Sequence, residues 1–193
     1  MNLFRRCVLG KILTGLFLLK FPGHLSLGSI LNQESEQKIR LGYTSFIKEL
    51  QKSKNLLLQK KLKELILQRE FGKGFDFHLR NAGLDFKEVQ IISNAMMKAT
   101  KHGILNLKSF SLSYNPEITD QGVGLLVKAF PPQITELGLV GCDLGDEAGE
   151  GIYQYLENSA LELVCIEGNN FSPVLMDKFK KLREQKPNLS LLI

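Results

Sequence analysis

Apolar residues in the second half of the chain recur at a fixed interval. Leu107, Phe110, Leu112 and Asn115 are followed 27 residues later by Ile134, Leu137, Leu139 and Cys142. Another 27 residues on come Leu161, Val164, Ile166 and Asn169. A period of this size marks supersecondary units that stack on one another. Within each unit the two apolar residues at alternate positions describe a short strand with one face turned inward. The Asn or Cys falls where the chain must turn, and its side chain can bond backbone groups that the bend leaves unpaired. Helix starts follow at Ile118-Thr-Asp-Gln-Gly122 and Leu144-Gly-Asp-Glu-Ala148, with Thr119 or Asp120, and then Asp146, as candidate caps. Helices are predicted over residues 122–130, 147–158 and 173–185. The last has Pro173 in its first turn, and Leu175, Met176, Phe179 and Leu182 lie at helical spacing.

The pattern extends both ways. Adding 27 to Val164 and Ile166 gives Leu191 and Ile193, so residues 189–193 read as one more strand. Upstream, Phe77, Leu79 and Leu84 fit the strand and turn, and Val89, Ile92, Met96 and Ala99 fit the helix. Here Ala82 takes the Asn position, which leaves that turn without its side-chain acceptor. The step from Leu79 to Leu112 is 33, a longer unit. Parallel strands are therefore expected at 75–79, 109–113, 136–140, 162–166 and 189–193. With the chain stopping at Ile193 and no helix after the last strand, a short strand is expected to form that end. Before the repeats, Ile39, Tyr43, Phe46, Ile47 and Leu50, then Leu58, Leu62, Leu65 and Ile66, predict helix over residues 32–70 with a break at 53–55.

Each copy fits L-x-x-L-x-L-x-x-(N/C)-x-(L/I), which resembles the leucine-rich repeats of the ribonuclease-inhibitor type. The resemblance covers about 120 residues, from Phe75 to the end. It implies an α/β fold, a short solenoid of parallel strands alternating with helices. Three segments are expected: a basic apolar stretch at 1–31, a helical N-terminal cap at 32–72, and the repeat domain at 73–193. It also implies a protein-binding module with no catalytic residues, cofactor or metal, whose partner lies against the concave face. With the inward residues in the core, the concave positions are Asp76, His78 and Arg80; Ser109, Ser111 and Ser113; Glu136, Gly138 and Val140; Leu163, Cys165 and Glu167; and Ser190 with Leu192. Arg80, Glu136, Glu167 and Leu163 are the contacts expected to matter most, and the convex residues Lys128, Gln154 and Lys178 the least. The turns at Tyr114 and Asp143 are the alternative contact surface.

Charge changes this picture little. The chain is +5, but residues 1–33 hold Arg5, Arg6, Lys11 and Lys20 with no acid, and the rest has 21 basic and 20 acidic groups. No basic stripe marks the repeats, so nucleic acid is not an expected partner. Three cysteines, Cys7, Cys142 and Cys165, make no disulfide framework and suit a reducing compartment. An intracellular location is expected. Short arrays of this type also occur in proteins that intracellular bacteria deliver into host cells, which adds a delivered effector to the expectation. Residues 1–31 keep several readings open. The basic start and the run Ile12-Leu-Thr-Gly-Leu-Phe-Leu-Leu19 resemble a secretory signal, and the acid-free composition resembles an organellar presequence; either would make the protein secreted or organellar. An amphipathic helix, packed on the domain or lying on a membrane surface, fits equally. A membrane- or organelle-associated assembly factor addressed by this segment is accordingly the second functional expectation.

Catalytic patterns are thin. His78 beside Ser111 offers a base and a hydroxyl, but no oxyanion turn accompanies them. His78 and Cys165 are separated by two strands, too far to share a metal. His24 and His102 have no ligand partners nearby in sequence. Gly72-Lys-Gly74 precedes a strand, whereas a phosphate loop precedes a helix.

Overall fold

The structure, a computed structural model, describes residues 27–67 and 74–193, with side chains from residue 32 onward. The expectations placed on residues 1–26, and on Gly72 and Lys73, lie outside the described residues. Contacts divide the chain into two units, residues 1–33 and 34–193, and the sheet with the helices that pack on it belongs to the second.

The described residues form an α/β architecture in the order α1 (Leu27–Leu50), α2 (Leu56–Leu67), β1 (Phe75–His78), α3 (Phe86–His102), β2 (Leu107–Ser111), α4 (Thr119–Ala129), β3 (Glu136–Gly138), α5 (Asp146–Asn158), β4 (Leu163–Cys165), α6 (Pro173–Gln185) and β5 (Ser190–Leu192). A turn of 3-10 helix, Pro116–Ile118, precedes α4. The five strands make one open parallel sheet in the order β1-β2-β3-β4-β5. Each successive strand is joined to its neighbour through a helix, and such crossovers share one hand. α3 packs on α4, α4 on α5 and α5 on α6, so the helices cover one face of the sheet.

Alternation explains the strands. Phe77, Phe110, Leu137, Val164 and Leu191 occupy one register row and are all buried. Each fully buried side chain of this kind contributes about 1.5–3 kcal/mol. Phe77 stacks on Phe110 with centroids 5.8 Å apart, and Phe110 meets Phe130 edge-on at 5.2 Å. On the other side Phe46 of α1 meets Phe77 at 5.6 Å, and Phe46, Leu50, Leu58, Leu62 and Leu65 are buried in the same core. α1 lies close to the end of α3 because two glycines permit it. A Cβ on Gly42 would sit 2.3 Å from the Ile104 carbonyl oxygen, and one on Gly103 2.0 Å from that of Lys38.

Several boundaries differ from the predicted ones. β2 begins two residues early, where Lys108 is an extra residue opposite β1 and the register shifts, and it ends at Ser111. β3, β4 and β5 stop after three residues, where the chain bends into the turn. α1 starts at Leu27, inside the stretch set apart as 1–31. The break falls at 53–55 as the pattern predicts, with Asn55 Oδ1 accepting from the amides of Leu57 and Leu58 at 3.0 Å each.

The expected acidic caps act elsewhere. Asp120 and Asp146 lie in the first turns of α4 and α5, yet each carboxylate reaches the start of the next helix. Asp120 accepts from Gly145 N at 2.9 Å and Ala148 N at 3.2 Å, and Asp146 accepts from Ser172 N at 2.7 Å. The cause is the side-by-side stacking of helix starts, which brings the uncapped amides of one beside the first turn of another. α5 has Gly145 at its own cap position and no side-chain cap within itself. Asp120→Ala should therefore cost about 1–2 kcal/mol in urea unfolding, a capping loss at a helix 25 residues away. An unchanged midpoint would show that water replaces the carboxylate.

The turn residues form a ladder. Asn115 is fully buried. Its Oδ1 accepts from Ala82 N (2.9 Å) and Leu84 N (3.1 Å), and its Nδ2 donates to the carbonyls of Leu79 (2.8 Å) and Leu112 (2.7 Å). Asn169 repeats this on Cys142 N, Leu144 N, Leu139 O and Ile166 O. Cys142 stands between them and donates from Sγ to Leu112 O at 3.3 Å. The side chain at this position thus reaches back to the preceding turn. The turn at Ala82, expected to lack an acceptor, receives one from Asn115 in the next copy.

Candidate binding surface

The sheet face opposite the helices carries the alternate residues. Register places Asp76, Ser109, Glu136, Leu163 and Ser190 in one row, and His78, Ser111, Gly138, Cys165 and Leu192 in the next. Past the strand ends, Asn81 N bonds Ser113 O, Tyr114 N bonds Val140 O and Gly141 N bonds Glu167 O. These bonds hold Arg80, Ser113, Val140 and Glu167 together as a third row.

Exposure is uneven across the rows. Asp76, His78, Arg80, Glu136, Ser190 and Leu192 are exposed, and Ser111, Gly138, Val140, Leu163, Cys165 and Glu167 are half-buried. Ser109 and Ser113, expected among the exposed positions, are buried. The His78 ring covers Ser109, with Nε2 2.7 Å from Oγ. Ser113 turns its hydroxyl into the strand end, where it accepts from Val140 N at 3.1 Å and meets Ser111 Oγ at 3.1 Å. Ser111 is the register partner of His78, as the spacing assigns, and the His78 ring reaches along the strand to Ser109.

At the centre of this face lies a depression of about 350 Å³. Gly138 lines it, and a Cβ there would sit 2.7 Å from Ser111 Oγ, so the position has no room for a side chain. Cys165 lines it, and Val140 and Leu163 contribute apolar lining. Arg80 and Tyr114 stand along one side, with the guanidinium carbon 5.0 Å from the ring centroid. Glu136 and Glu167 line it as well, and Glu167 Oε2 is buried with no hydrogen-bond partner among the described residues. Burial pushes the Cys165 thiol up, Glu167 and Glu136 push it the same way, and Arg80 opposes them. Cys142 is likewise raised by burial, and both thiols are free. β2 and β3 separate His78 from Cys165, and no group of three potential metal-binding side chains occurs among the described residues.

No protein family and no curated protein matches this chain.

Backbone conformation adds one observation. The turn residue after each of the first four strands has positive φ: Asn81 (47°), Tyr114 (63°), Gly141 (60°) and Gly168 (69°). Glycine suits that conformation and asparagine tolerates it, whereas a tyrosine is strained by about 1–3 kcal/mol. Tyr114 is nevertheless 45% exposed and lies against Gly141, where a Cβ would come within 3.0 Å of its ring. The strain therefore holds an aromatic ring at the rim of the depression beside Arg80. Spacing names Tyr114 only as a turn residue, and its φ has no signature in the sequence.

Proposed function

We propose that this chain is a non-enzymatic protein-binding module of the leucine-rich-repeat type, recognising another protein through the helix-free face of its sheet. The observation that carries the reading is Tyr114. Its exposed ring stands next to the Arg80 guanidinium, and tyrosine and arginine are among the side chains that most often anchor interfaces. Two further features support it. The ladder position recurs at Asn115, Cys142 and Asn169, as the repeat pattern requires. The hydroxyl next to the only described histidine on this face is buried and engaged as its hydrogen-bond partner, which suits a structural contact better than a nucleophile.

The test is affinity capture with the intact chain, with residues 1–31 deleted, and with Arg80→Ala combined with Glu136→Ala. The partner should be retained by the deletion and weakened at least about tenfold by the double change, as expected when hot-spot side chains are removed. Tyr114→Gly should weaken capture while leaving thermal stability equal or higher, since it relieves the positive φ. Capture lost on deleting 1–31 and indifferent to all three open-face changes would instead favour an assembly factor addressed by its N-terminus.

A further inference from the structure

The depression on the open face contains more negative than positive charge. Glu136 and Glu167 both line it, and Glu167 Oε2 is buried without a hydrogen-bond partner among the described residues. Such an oxygen is costly unless something supplies a donor. Arg80 does not. Its guanidinium is held over the Tyr114 ring, and no ion pair joins it to either glutamate among the described residues. Val140 and Leu163 contribute apolar lining, and Gly138 carries no side chain. A hollow with apolar lining and unpaired carboxylates fits a long side chain that has a methylene stem and a cationic head.

Resting on the protein-binding reading, we propose that this depression receives a basic side chain of the partner, an arginine or lysine, with its stem against Val140 and Leu163 and its cationic head donating hydrogen bonds to the carboxylates of Glu136 and Glu167. The planar fork of arginine suits carboxylate oxygens better than the compact head of lysine.

Cys165, which lines the depression, is a built-in reporter. In the full chain, its alkylation by neutral iodoacetamide is followed by peptide mass mapping, with buried Cys142 as the internal reference. N-acetyl-arginine methylamide should slow Cys165 alkylation by about threefold or more, with half-effect in the millimolar range, an affinity that needs the stem buried against Val140 and Leu163 as well as the ion pair. N-acetyl-glutamate methylamide at the same ionic strength should have no effect. The arginine effect should vanish in Glu136→Gln with Glu167→Gln and be reduced in Glu136→Gln alone, an exposed position that leaves the core untouched. No slowing, equal slowing by both derivatives, or slowing that survives the double change would overturn the basic-side-chain site. The two proposals fail separately. Absence of the arginine effect with capture still weakened by Tyr114→Gly removes this site alone. A clear arginine effect with capture indifferent to every open-face change removes the protein-binding reading.

Discussion

Asn115→Ala is expected to lower the unfolding free energy by about 3–5 kcal/mol, among the largest effects any polar substitution in this chain should have. Its amide serves two backbone N–H groups, of Ala82 and Leu84, and two carbonyls, of Leu79 and Leu112, at 2.7–3.1 Å. Asn115 is fully buried, and water cannot easily take its place. Each buried group left without a partner costs about 1–3 kcal/mol, and relaxation of the turn recovers part of the sum. Urea unfolding followed by circular dichroism measures the loss. Cys142→Ser, which changes one donor for another of similar size, should cost far less. A loss below about 1 kcal/mol for Asn115→Ala would mean that the turn closes without its ladder.

Phe110→Ala should be comparably severe, at about 3–5 kcal/mol, because the ring is fully buried between Phe77 and Phe130 and a cavity would remain. Leu139→Ala, also fully buried, should cost about 2–5 kcal/mol for the same reason. Ser111→Ala, on the opposite side of the same strand as Phe110, should change stability by no more than about 0.5 kcal/mol. Thermal melts of the three variants decide this. Similar shifts for Phe110→Ala and Ser111→Ala would show that the inward and outward rows are misassigned.

The parallel sheet and its order were legible because Phe77, Phe110, Leu137, Val164 and Leu191 share one inward position, and a one-residue slip would turn every one of them to solvent. The ladder position was legible for the same reason, as a fixed offset from the strand. Its partners were not, since reaching back to the preceding turn is a fact of stacking and not of spacing. Of the candidate caps, Thr119 does accept from Gly122 N at 3.3 Å, whereas Asp120 and Asp146 stand where acids normally cap their own helix and are redirected by the contact between adjacent helix starts. Lys108 shifted the register at the start of β2 by one residue, while farther along His78 keeps Ser111 as its register partner and its ring reaches Ser109. Nothing in the identities of residues 107–111 signals that shift. Gly42 and Gly103 mark a backbone approach between elements far apart in sequence, invisible to any local pattern. The candidate face was half legible. Alternation assigned its residues, whereas the burial of Ser109 and Ser113, the strain at Tyr114 and the unpartnered oxygen of Glu167 depend on neighbours from different strands.

The most direct measurement is carboxyl footprinting of the captured complex. Free and bound protein are labelled with a carbodiimide and a small amine, and each glutamate is quantified by mass spectrometry. Binding across the open face predicts that labelling of Glu136 falls severalfold, and that of Glu167 falls with it, while Glu147 and Glu157 on α5 stay unchanged. Protection of Glu147 and Glu157 with Glu136 unaltered would place the partner on the helices and contradict the open-face account.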